Sequence, residues 1–122
     1  MKPRNLPTPE QAAQFDAFIA LWQGQLNLND WRIERGTKAA KNAMASVEFT
    51  PSARLATYRL GDFGAEAITP ESLSKTALHE LLHVTLFDLI DTAQNKPTAD
   101  ELDAAEHRVI NMFEKLLFEV LG

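Results

Sequence analysis

Apolar and polar positions along the chain recur with two different periods. Phe15, Phe18, Ile19 and Trp22 stand at i, i+3, i+4 and i+7, one face of an amphipathic helix with an aromatic stripe. Ahead of them, Thr8-Pro9-Glu10 offers a capping hydroxyl, a proline at the first helical position and an acid in the first turn. Gly24 reads as the stop. Three short segments with period two follow. Trp31 and Ile33 share one face, then Ala45, Val47 and Phe49, then Ala56, Tyr58 and Leu60. Such alternation marks half-buried antiparallel strands. The polar link from Gly36 to Asn42 and the turn Thr50-Pro51-Ser52 join them, which predicts a small meander.

Residues 61–68 form a glycine-bearing loop, and Thr69-Pro70-Glu71 repeats the helix-start signal. This second helix is expected to run to about Ile90, with a polar loop from Asp91 to Pro97. Thr98 and Glu101 form a capping box for a last helix. Its buried stripe reads Leu102, Val109, Phe113, Leu116, Leu117 and Val120. The pattern therefore predicts an α+β fold: an N-terminal helix, a three-stranded antiparallel sheet, a long helix and a C-terminal helix.

Composition narrows the picture further. A chain of 122 residues is expected to form one domain, 1–122, with residues 1–7 as a loose, proline-marked arm. Its 45% hydrophobic and 24% charged content is that of an ordinary globular protein. The net charge of −5 argues against a nucleic-acid partner. No apolar run follows the charged start, so no signal peptide is expected, and no stretch is long enough for a membrane helix. Cytoplasmic residence is the expectation. With no cysteine, any bound metal must use His, Asp or Glu.

Candidate chemistry lies in the second helix. Thr76-Ala77-Leu78-His79-Glu80-Leu81-Leu82-His83-Val84-Thr85 contains H-E-x-x-H. Residues four apart lie one helical turn above each other, so His79 and His83 can aim two imidazole nitrogens at one zinc ion, at roughly 2.0–2.1 Å. Glu80 sits about 100° round the helix from His79, placed to reach a metal-bound water without being a ligand. No other charge lies between Thr76 and Leu86, so the helix is expected to be buried, histidines included. The plainer reading is two core histidines with polar partners and a surface glutamate.

The stretch resembles the H-E-x-x-H zincins, in particular short single-domain metallopeptidase-like proteins of phages and bacteria. That resemblance implies a minimal zincin-like fold, zinc as cofactor, a peptide or protein substrate and an acidic third ligand on the final helix. It also implies that the strand near the cleft, around 54–60 here, pairs with an extended substrate. Leu89 stands where a metzincin would have its third histidine, and Asp88 and Asp91 lie too near His83 on one helix. Glu101, Asp103, Glu106 and His107 are left. Glu106 is preferred, because Leu102, Val109, Ile110 and Phe113 flank it at helical spacing and Glu106-His107-Arg108-Val109 matches the family's E-x-x-V context. On the plainer reading it is a surface acid paired with Arg108 or Lys115. His107 could ligate instead, support the site, polarise a substrate carbonyl or be a plain surface histidine. Tyr58 is read first as a core tyrosine and second as a substrate-polarising group. The leading expectation is a zinc metallopeptidase with Glu80 as general base. The alternatives are a non-catalytic zinc-binding or phage-type regulatory or structural module, and a zinc hydrolase of a non-peptide amide.

Overall fold

The computed structural model describes residues 4–121, and side chains as far as Glu119. Helix α1 spans Pro9–Gln25. Thr8 Oγ1 accepts from the Gln11 N–H at 3.2 Å, and Gln11 Oε1 accepts from the Thr8 N–H at 2.9 Å, a reciprocal cap that holds two otherwise unpaired donors. Ala12, Phe15 and Ile19 are buried, with Phe18 and Trp22 half-buried beside them. The helix runs one residue past Gly24, and the turn is made at Asn27, whose φ is 56°.

Strands β1 (Arg32–Arg35), β2 (Ala45–Thr50) and β3 (Leu55–Leu60) form one sheet in the order β1-β3-β2. β2 and β3 are an antiparallel hairpin closed by a 3₁₀ turn at Pro51–Ala53, with Arg54 left-handed at φ 47°. Its register pairs Ala45 with Leu60, Val47 with Tyr58 and Phe49 with Ala56, so the alternating apolar sets share one face. β1 lies parallel to β3, pairing Ile33 with Ala56. The sheet is therefore mixed, and the expected antiparallel meander is not what forms. Alternation fixes which face of a strand is buried, not which strand it sits beside. The link between Arg35 and Ala45 starts opposite Tyr58 and ends opposite Leu60, so it only has to cross that end of β3, about two strand spacings.

Helix α2 spans Pro70–Gln94, capped at Thr69, and continues a turn past Ile90. It buries Leu73, Ala77, Leu81 and Val84 against α1 and the sheet, and Trp22 Nε1 donates to Ser74 Oγ at 3.1 Å. Phe87 stacks on Phe49 at 4.4 Å and meets Trp31 edge-on at 5.4 Å. Arg54 lies 4.0 Å over the Trp31 ring and pairs with Asp88 at 2.7 Å and with Asp30.

Helix α3 spans Ala99–Leu121 and starts at the expected Thr98/Glu101 capping box. Met112 meets Thr85 at 3.6 Å and Arg108 meets Asp88 at 3.3 Å, so α3 runs back antiparallel along α2. Its packed side is Ala105, Val109, Met112 and Leu116. Leu102, Ile110, Phe113 and Leu117 are exposed, so the expected stripe is rotated, with only Val109 and Leu116 in place. Val120 lies outside the residues whose side chains are described. No described helix is long and apolar enough to cross a membrane.

The arm is not loose from Asn5 onward. Asn5 N–H donates to Asp62 Oδ1 at 2.9 Å, and its Nδ2 donates to the carbonyl oxygens of Gly64 and Glu66 at 3.1 and 2.8 Å. Gly61 lets the end of β3 approach the loop before β2. A Cβ there would run into the Ala43 carbonyl oxygen and lie 2.9 Å from that of Ala40. Both obstacles are backbone, so Gly61→Ala should destabilise the chain by about 1–3 kcal/mol. Urea unfolding midpoints compared with the parent test this.

Candidate functional site

The buried face of α2 passes through the motif at Ala77, Glu80, Leu81 and Val84. The core-facing member of H-E-x-x-H is thus the glutamate, which is 6% exposed. His79 and His83 project from the exposed side of the helix, with ring centroids 5.1 Å apart and planes at 79°. The expectation of a buried histidine pair is not met. Both histidines lie to one side of Glu80 around the helix, away from α1, while Leu78 and Leu82 supply the remaining apolar character by partial burial.

Glu80 and His79 border a cavity of about 410 Å³. Its other walls are Ala43, Met44 and Ala45 at the entry to β2, Glu66 from the loop before α2, and Ser72, Lys75 and Thr76 on α2. Burial pushes the Glu80 carboxyl above the usual carboxylate range, while positive charge on His79 and His83 pulls the other way. β3 has strands on both sides, so the 54–60 segment has no edge to offer an extended chain. β2 is one of the two edge strands, with β1 the other, and its first residue is part of the cavity wall.

The third metal donor is not assembled beside the histidines. Glu106 is exposed on α3. The Arg108–Asp88 pair sets the register of α3 on α2, which puts Glu106 near the level of Ile90, roughly 10 Å along the axis from His83. Asp103, Glu106 and His107 do bring ligand atoms within 4.8 Å of one another, on one exposed helical face. Among the described residues, no group so close includes His79 or His83. Two imidazoles one turn apart on an open face fit the first two positions of a zinc site, and a third protein donor must come from a side chain that moves. Glu66 is the acid that already borders the cavity with His79, a position the sequence marked only as loop.

The remaining candidates lie elsewhere. Tyr58 is buried in the core, 5.7 Å from the Phe15 ring, and its hydroxyl donates to Asp16 Oδ1 at 2.7 Å. Burial first, and then Asp16, raise its pKa well above the ordinary phenol value. This bond ties the sheet to α1, and the hollow beside it is lined by Arg35 and Thr37, not by the histidines. His107 is exposed, with Nδ1 2.9 Å from the Asp103 carbonyl oxygen, a bond that heads the causes raising its pKa.

No family model, no curated protein and no solved structure matches this chain.

Burial of Glu80 has a measurable consequence. An acid whose folded pKa is raised costs nothing where it is protonated in both states and costs stability once pH exceeds its unfolded value. Metal-free Glu80→Gln should therefore melt above the metal-free parent at neutral pH. The gap should close as pH falls through the carboxylate range. Paired thermal melts across that range check it, and a gap that widens on acidification overturns it.

Proposed function

We propose that this chain is a zinc-dependent metallopeptidase of minimal zincin-like design. The observation that carries the reading is a pair of open-faced histidines one turn apart, with a core-facing glutamate between them that borders a cavity beside an edge strand. His79 and His83 would hold the metal, which supplies a Lewis acid and a water whose pKa is lowered to about 7. Glu80 accepts the proton of the attacking water and returns it to the departing amine. Its partial desolvation raises its proton affinity, which favours that exchange. The free edge of β2 can hold an extended peptide by main-chain hydrogen bonds.

Glu80→Gln should keep zinc and lose peptide hydrolysis, because the base is not a ligand. Metal content and turnover of a mixed peptide library, measured on the same preparation, test both halves. Loss of the metal along with the activity would make Glu80 a ligand or a prop.

Two acids compete for the third ligand position. Glu106 would reach the histidines only after α3 had slid by about two turns along α2. Glu66 can close on them by a loop adjustment that leaves every helix in place. Zinc titration should find affinity weakened at least tenfold in Glu66→Ala and near the parent's in Glu106→Ala and His107→Ala. The reverse result would mean that α3 shifts when metal binds. The unassembled third donor also favours a second reading, a zinc-binding module without turnover. The hydrolysis assay on the native chain separates the two.

A further inference from the structure

We infer that the candidate site selects peptides carrying an acidic side chain within a few residues of the scissile bond, through a cationic subsite formed by Lys41 and Arg4. This inference rests on the peptidase reading above.

A second hollow, of about 760 Å³, adjoins the one at His79 and Glu80. The two share Ala43 and Met44 as walls, so they lie side by side along the entry to β2. Lys41 lies three positions before Met44, a reach of at most about 10 Å. A peptide lying on the β2 edge with its reacting carbonyl at His79 would therefore carry a side chain into the second hollow within three residues. The hollow is large enough for such a side chain.

Its charge is the decisive feature. Its charged lining residues are Arg4, Lys41 and Asp62. Asp62 is already engaged: its Oδ1 accepts from the N–H groups of Gly64 and Asn5 at 2.8 and 2.9 Å. Neither Arg4 nor Lys41 forms an ion pair among the described residues, whereas Arg32, Arg35, Arg54, Arg59 and Arg108 all do. On a chain of net charge −5, the hollow therefore sets two cations against one carboxylate, with Arg4 near enough to help hold the Asp62 carboxyl low and Lys41 without an ion pair among the described residues. A carboxylate entering it meets both, in a concave setting that screens less than open surface. Lysine or arginine side chains on the peptide meet repulsion there instead.

The test uses full-length zinc-loaded Glu80→Gln, so that peptides bind without being consumed, and dansyl-labelled hexapeptides identical but for Glu, Gln or Lys at one position. Fluorescence anisotropy at physiological salt should show the Glu peptide binding about tenfold tighter than the Gln peptide, and the Lys peptide weakest. Adding Lys41→Glu or Arg4→Glu should erase or invert that order. Adding Lys115→Glu, the same charge change on α3, should leave it intact. Equal affinities for the three peptides, no measurable binding of any, or an order that survives both cleft substitutions would overturn the subsite. Hydrolysis by the native chain is read separately. Cleavage without acidic preference sinks this inference alone, and acidic preference in binding without cleavage sinks the peptidase reading alone.

Discussion

Putting Glu80 on the core-facing stripe of α2 is the constraint around which the rest of the molecule is arranged. A helix that must bury Leu73, Ala77, Leu81 and Val84 has no freedom to turn that stripe outward. Glu80 is carried inward with them, and the histidines on either side of it in sequence are carried out. Desolvating a carboxylate is costly, and leaving a solvent-sized hollow beside it lowers that cost. The cavity at the motif and the orientation of its three side chains are thus one consequence of packing, set by the phase of a single helix.

Helices and their caps were legible because their signals are local. Thr8 with Gln11, and Thr98 with Glu101, sit within one turn of the groups they bond. Strand faces were legible as well, since Val47 with Tyr58 and Phe49 with Ala56 obey the alternation that the residues display. Strand order was not. Placing β3 between β1 and β2 depends on a crossing loop whose polar residues carry no periodic signal. The cavity wall from Ala43 to Ala45, and Glu66 opposite it, became visible only once that order was known.

The final helix shows a different limit. Its apolar residues occupy a wide arc, roughly 160° of the circumference: Ala105 and Met112 on one flank, Ile110 and Leu117 on the other, Val109 between. Such a pattern permits two packings related by a rotation about the helix axis. Large side chains favour one of them on hydrophobicity, and small Ala105 favours the other by allowing close approach to α2. Charge adds a small contribution to the packing that forms, in which Arg108 meets Asp88 and Asp30 with the Ala105 flank inward. Hydrophobic periodicity does not register that contribution.

The clamp formed by Asn5 bears on the order in which the molecule assembles. Its bonds to Asp62, Gly64 and Glu66 join positions 57 to 61 residues apart. Closing so long a loop is slow and entropically expensive until the elements between are already in place. The helices and the β2–β3 hairpin can form from neighbouring sequence, whereas the wall of the cleft cannot. On a ribosome, Asn5 emerges some sixty residues ahead of its partners. The cleft is therefore a late-folding part of the chain, shaped after the scaffold that holds His79 and His83.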